Sequence, residues 1–226
     1  MNSIHRQVNR LAAGGRLNRA KVIRFWYDDR QYEGHPGDTL ASALLANGVR
    51  IIGRSFKYHR PRGLFAAGPE EPNALVQLEN GPHTEPNRRA TEVELYEGLI
   101  AHSQNCWPSA AFDVGGVAAR LSRLLPAGFY YKTFMWPPRM WRNYEKFIRH
   151  AAGLGRAPAE PDPDHYDKRH AHCDVLVVGG GAAGLQAACA AAAAGARVIL
   201  ADERAEFGGA LLERGDGDFC DLTAYI

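Results

Sequence analysis

Two kinds of apolar pattern divide this chain. Late in the sequence the apolar positions run together: Val175-Leu176-Val177-Val178 without a polar break, the almost pure alanine of Leu185 to Ala194, then Arg197 to Ala201. The short unbroken runs predict parallel strands buried on both faces. The alanine stretch between them predicts a helix stopped by Gly195. Earlier in the chain, apolar and polar residues interleave. Lys21 to Tyr27 reads as a strand that turns at Asp28-Asp29-Arg30 and returns through Gln31-Tyr32-Glu33. Leu40, Ala43 and Leu44 then recur at helical spacing up to Asn47, after Pro36-Gly37-Asp38-Thr39 with Asp38 as N-cap and before Gly48 as stop. Met140, Trp141, Tyr144, Phe147, Ile148 and Ala151 form a second helical stripe behind Pro138, explained by core packing, with Glu145 and Arg149 as an i,i+4 pair on the polar side.

A hairpin followed by a helix crossing it opens a β-grasp domain, and strand–helix–strand is the first unit of a Rossmann-type domain. The expected fold class is therefore mixed, α/β and α+β. An N-terminal arm occupies 1–20, a β-grasp domain 21–100, and a helical, aromatic connecting segment with a proline-rich linker 101–171. The start of a Rossmann-type domain occupies 172–226. In the linker, Pro158, Pro161 and Pro163 alternate with acids and favour an extended connection. One strand–helix–strand unit leaves apolar edges open, so the chain reads as the amino-terminal part of a longer protein.

The densest chemistry lies at the first turn of that last segment. Gly179, Gly181 and Gly184 occupy the spaced positions of G-x-G-x-x-G, with Ala182 and Ala183 between the last two. The first glycine allows the tight turn, the second lets backbone approach a pyrophosphate, and the third lets helix pack on strand. About 20 residues on, where a ribose-binding carboxylate is expected, stand Asp202 and Glu203, followed by Arg204. Asp202 directly follows the strand and is the first choice. An acid there repels a 2′-phosphate, which favours a nonphosphorylated dinucleotide. Gly208-Gly209 lets the chain pass close to the nucleotide.

Composition narrows the alternatives. The chain is 46% hydrophobic and 23% charged with a formal net charge of +2, so it carries no broad electrostatic signature of nucleic-acid or membrane binding. Cys106, Cys173, Cys189 and Cys220 form no C-x-x-C pair, which suits a reduced, cytoplasmic protein. No apolar run reaches transmembrane length. The start, with Arg6, Arg10, Arg16, Arg19 and Arg24 ahead of the first acid at Asp28, resembles a presequence only superficially. Gly14-Gly15 interrupts any amphipathic helix, leaving a basic arm that packs on another domain.

Three further clusters admit more than one reading. Arg54, Lys57, His59, Arg60 and Arg62 surround Phe56 and Tyr58: an RNA-binding strand, a solvated face, or a basic loop anchoring a neighbouring domain or an anionic cofactor. Phe129, Tyr130, Tyr131, Phe134 and Trp136, with Lys132 among them, would cover a flavin or nicotinamide ring or pack a seam between domains. The seam is favoured, because no acid–base pair accompanies them. His165, His170, His172 and Cys173 carry metal-binding side chains but match no standard zinc spacing, and no metal site is expected there.

The stretches GDTLASALL and GRSFKYHRPRGLF resemble the ferredoxin-like domain at the start of the α subunits of heteromeric amine oxidoreductases. Cluster-bearing members of that group place cysteines after RPRG in a C-x₄-C-x₂-C run with a fourth later. The corresponding positions here hold Ala66, Glu71, Ala74 and Thr91. The resemblance therefore implies a clusterless domain with no iron–sulfur cluster. AAGPEEPNALVQL, ATEVELYEGLIAHSQNCWPSAAFDVG, LLPAGFYYKTFMWP and YEKFIRHAAGLG resemble the α subunit of heterotetrameric sarcosine oxidase.

What this resemblance implies is a subunit that binds NAD and serves as scaffold, partnered by β, γ and δ subunits. FAD and FMN lie in the partner subunit or at its interface. The intact complex would oxidise sarcosine with oxygen to glycine and hydrogen peroxide, passing the methyl carbon to tetrahydrofolate. No catalytic residue is expected on this chain. The alternatives are another amine or N-methyl amino acid oxidase complex, and a stand-alone dinucleotide-binding module.

Overall fold

The computed structural model describes residues 7–56, 58–117, 136–151 and 153–213. The chain divides into two units, one comprising residues 1–12 and 17–163, the other residues 13–16 and 164–226.

The first unit is built on strands β1 (Ile23–Tyr27) and β2 (Arg30–Gly34), helix α1 (Leu40–Ala46), and strands β3 (Gly53–Arg54), β4 (Pro61–Arg62), β5 (Leu75–Leu78), β6 (Glu85–Arg89) and β7 (Ile100–Ser103). β1 and β2 pair antiparallel from Ile23↔Gly34 to Tyr27↔Arg30. Asp28 and Asp29, at φ 46° and 62°, make the turn between them, the left-handed pair that a two-residue hairpin needs. β7 then inserts parallel to β1, with Trp26 opposite Ile100, giving the five-stranded order β2-β1-β7-β5-β6.

Alternation on β1 turns Ile23, Phe25 and Tyr27 inward, where they meet Leu40, Ala43 and Leu44 of α1 and the buried Ile52, Val76 and Leu99. Phe25 stacks on Tyr32 with ring centroids 5.7 Å apart. The N-cap of α1 is Thr39, in a capping box with Ser42, which displaces Asp38 from its expected role. Asp38 is instead a buried acceptor. It takes two guanidinium bonds from Arg10 at 2.8 and 2.6 Å, the Ser42 hydroxyl at 2.6 Å and the His35 amide at 2.9 Å. The basic arm is thus fastened at Arg10 to this unit's own helix start.

β3 and β4 form a separate small hairpin, pairing Gly53 with Arg62 and Arg54 with Pro61. Further on, helix α2 (Trp141–Ala151) follows a 3-10 turn at Pro138–Met140. Arg149 Nε donates to Glu145 Oε1 at 2.8 Å, the expected i,i+4 pair. Met140 and Trp141 are 40% and 46% exposed, so core packing does not account for that end of the stripe. Of the aromatic segment, Phe129, Tyr130, Tyr131, Lys132 and Phe134 lie outside the described residues, and Trp136 is exposed.

The second unit holds β8 (Val175–Val178), α3 (Ala182–Ala193) and β9 (Val198–Ala201). The strands pair in parallel, Val175↔Val198 through Val178↔Ala201, which requires the crossover that α3 supplies. Leu185 and Ala188 are the buried positions of α3. Leu176 and Val178 are 59% and 80% exposed, against the expectation of a strand buried on both faces. The reason is local: among the described residues this sheet has two strands and one helix, enough to cover one side. No helix among the described residues is long and apolar enough to cross a membrane.

Candidate functional site

The glycine turn between β8 and α3 is drawn tightly against the end of β9. Gly179, at φ +108°, donates its amide to the Ala201 carbonyl at 2.8 Å. A Cβ at Gly184 would lie 1.8 Å from the Gly179 carbonyl oxygen, so any side chain there forces helix and turn apart. Gly181 is the N-cap of α3 and offers no side-chain cap, which leaves the first amides of a twelve-residue helix open to an anion. Ala182 and Ala183 follow, both exposed and too small to block that approach.

Asp202 sits one residue beyond β9, and its carboxylate closes the turn. Oδ2 accepts the Gly180 amide, and Oδ1 accepts the Arg204 amide at 2.8 Å. Those two backbone donors, Arg204 first, hold the Asp202 carboxyl below the usual range. Each oxygen keeps a further lone pair, so the ionised group remains able to accept ribose hydroxyls. Glu203 is exposed and makes no comparable contact with the turn, which separates the two acids that the sequence left ranked.

Gly208-Gly209 comes to the same place. Gly208 pairs with Gly181 in a parallel bridge and donates to the Gly180 carbonyl at 2.7 Å, and a Cβ on Gly209 would approach Gly181 Cα to 3.2 Å. Gly179, Gly181, Gly184, Asp202, Arg204, Gly208 and Gly209 are therefore brought together around one turn. Gly180 was not singled out by the fingerprint, yet it is buried, donates to Asp202, and leaves no room for a Cβ beside Phe207, 2.3 Å away. The run of three glycines was the available signal.

The polar patch at Ser103-Gln104-Asn105 is absorbed by structure. Ser103 donates from its hydroxyl to Asp28, Gln104 bonds Asn87 and the Gly153 carbonyl, and Asn105 donates to the Arg54 carbonyl at 2.6 Å. Cys106 donates its thiol to Ser103, and burial pushes it up to about 11, so it is a neutral thiol at physiological pH. His165, His170 and His172 are exposed.

Of the side chains at 66, 71 and 74, between β4 and β5, and at 91, after β6, one is a carboxylate, Glu71, which is 1% exposed. It accepts the amides of Phe65, Ala66 and Asn73 at 2.5, 2.7 and 2.8 Å. Thr91 donates to the Gly68 carbonyl at 2.8 Å, and Ala74 is fully buried.

Comparison with known proteins extends this picture. Residues 20–106 match the family described as a 2Fe-2S iron-sulfur cluster binding domain, and residues 174–224 match the FAD dependent oxidoreductase family. The first match corrects the expectations of a clusterless fold and of no iron–sulfur cluster. Those expectations rested on four loop positions, whereas the match covers the whole sheet and reaches Cys106, which lay outside that comparison. Within the matched range Cys106 is the one cysteine, and its thiol is committed to Ser103. The Glu71 oxygens are likewise committed to backbone amides. This donor set does not fit a four-thiolate cluster.

Over 204 residues, 90% of this chain, it is 59% identical to "Sarcosine oxidase subunit alpha" of Rhizobium meliloti (strain 1021), covering 21% of that protein. It is 37% identical over its whole length to the protein of the same name from Corynebacterium sp. (strain P-1), covering 19% of it. A solved structure of L-proline dehydrogenase from P. horikoshii is similar at a TM-score of 0.43 and 17% identity, over 90% of this chain and 28% of that one. The chain is a homologue of sarcosine oxidase alpha subunits and spans about a fifth of their length.

Proposed function

We propose that this chain supplies the adenosine-diphosphate end of a dinucleotide site in the alpha subunit of an amine-oxidising complex. The observation that carries the proposal is the closure of the glycine turn by Asp202, accepting the Gly180 amide beside an uncapped helix N-terminus. The Gly181 turn and the first amides of α3 would take the pyrophosphate, and Asp202 the adenosine ribose. Gly208 and Gly209 would keep the opposite wall free of side chains. When bound, such a nucleotide supplies hydride chemistry or a purely structural anchor; this chain's residues bind and orient it.

NAD is the dinucleotide implied by the resemblance to heterotetrameric sarcosine oxidase. A second reading is FAD, favoured by the match of residues 174–224 to FAD dependent oxidoreductases. In either case the intact complex would convert sarcosine and oxygen to glycine and hydrogen peroxide, with tetrahydrofolate taking the one-carbon unit. The β, γ and δ subunits would complete it, and the flavins that oxidise the amine and pass electrons to oxygen would lie in the partner subunit or at its interface. The free thiols Cys106, Cys173 and Cys189 support a reducing, cytoplasmic setting.

The test is to release nucleotide by acid from the purified complex and from its Asp202→Ala variant. Release of NAD that disappears in the variant supports the first reading, and loss of FAD supports the second. Identical nucleotide content in both proteins contradicts the site.

A further inference from the structure

The sequence leaves the aromatic, arginine-rich stretch around β3 and β4 unassigned, and the structure gives it a rigid neighbour. Arg54 donates to the carbonyls of Ala110 at 2.8 Å, His59 at 3.1 Å and Ala111 at 3.2 Å. His59 Nδ1 lies 2.7 Å from Asp113 Oδ2, and Asp113 Oδ1 accepts the amides of Trp107 and Gly115, each at 3.0 Å. Val114 returns its amide to the Trp107 carbonyl at 2.9 Å. Residues 53–56 and 58–62 and the 104–117 loop are thereby locked into one piece of surface within the first unit.

That surface is apolar where it is most exposed. Trp107 and Phe112 are 71% and 70% exposed, Phe56 53% and Val114 48%. Arg60 and Arg62 are exposed beside them. In the two segments, 53–62 and 104–117, the one acid is Asp113, whose side chain is 1% exposed and turned to His59. The patch thus joins large apolar side chains to exposed positive charge, the composition of a protein interface with aromatic and arginine anchors.

A nucleic acid is the less suited occupant. Arg60 lies 4.9 Å from the centroid of the Tyr58 ring, so one face of that ring is already covered by the chain's own arginine. Apolar valine and phenylalanine outnumber the two exposed arginines, and the whole chain carries a net charge of +2. Phosphate recognition gains from many cations, whereas a few arginines around an apolar centre suit carboxylates on the rim of a protein face.

We propose that the β3–β4 hairpin and residues 104–117 form a docking surface for another protein chain that presents an apolar centre rimmed by Asp or Glu. This inference rests on the multi-subunit reading above and deepens it by assigning the contact. The pre-locked geometry lowers the ordering cost of binding, which is the part of association that area alone does not offset.

The test uses the native complex, purified through this chain, with a photo-crosslinking amino acid replacing Trp107 or Phe112 and, as a control, the remote exposed Leu45. Crosslinks from 107 and 112, absent from 45, to an acid-containing peptide of a second subunit are expected. Arg60→Glu combined with Arg62→Glu should lower the co-purifying amount of that subunit at least tenfold, with the recovered amount of the full-length chain carrying the substitutions unchanged. A complex that assembles with no crosslink from 107 or 112 to a second subunit, or with crosslinks only to the rest of this chain's own polypeptide, overturns the docking surface while leaving the multi-subunit reading intact. A chain that purifies alone overturns both, and crosslinks to RNA overturn the choice of partner.

Discussion

The Gly180 amide donates to Asp202 Oδ2, joining the glycine turn after β8 to the residue that follows β9. This bond fixes the carboxylate at the mouth of the turn before any ligand arrives. Replacing Asp202 by Asn keeps the shape and removes the charge. Loss of a charged acceptor for a ribose hydroxyl costs about 1.5–3 kcal/mol, roughly a ten- to hundredfold weakening of dinucleotide binding. Equilibrium titration of the variant with NAD and with FAD checks this.

Gly184→Ala places a Cβ where the Gly179 carbonyl oxygen stands 1.8 Å away. Overpacking of this kind typically costs about 1–3 kcal/mol, and this contact is with backbone that cannot swing aside. The second unit should melt earlier and lose nucleotide binding, while Ala187→Ser on the exposed side of α3 should stay within about 0.5 kcal/mol of the parent. Calorimetry on the two variants separates packing from a general effect on the helix.

Glu71 should make the first unit acid-sensitive. Burial alone raises its pKa, but the amides of Ala66, Asn73 and Phe65 together outweigh burial and hold the carboxyl below its ordinary value. A depressed folded pKa means that Glu71 stabilises the fold fully above the unfolded value of about 4.3. That contribution is lost as pH falls through the folded pKa. Glu71→Gln should flatten the pH dependence of stability below about pH 5, measured by denaturant unfolding at pH 3 to 7. Glu71→Ala, leaving three amides unpaired, should cost more, on the order of 2–3 kcal/mol at neutral pH.

Arg10→Ala removes both guanidinium bonds from the buried Asp38 carboxylate. Breaking one side of such a pair costs roughly 3 kcal/mol, so the unit should lose several degrees of thermal stability. Asp38→Asn in the same background should recover part of the loss, because the unpaired charge is gone. A double-mutant cycle reads the coupling directly.

Much of this architecture was legible because local rules governed it. The hairpin at Asp28-Asp29, the short helix ended before Gly48, and the β8–α3–β9 order each follow from turn chemistry and periodicity acting over a few residues. The nearness of Asp202 to the glycine turn was legible for the same reason, being fixed by its distance from the glycines. What escaped was set by contacts remote in sequence. Asp38 lost the N-cap role because Arg10, 28 residues earlier, claims its oxygens along with the nearby His35 and Ser42, leaving the cap to Thr39. The role of Asp113 depends on His59, 54 residues earlier. Reading the 66–91 positions alone gave a clusterless domain, a conclusion that the match over residues 20–106 corrected.

The most direct measurement is calorimetric titration of the protein with ADP-ribose, which carries the ribose and pyrophosphate but neither nicotinamide nor flavin. One saturable site per chain, weakened at least tenfold by Asp202→Asn, is the predicted result. No saturable binding, or binding indifferent to that substitution, would contradict the assignment of the glycine turn as a dinucleotide site.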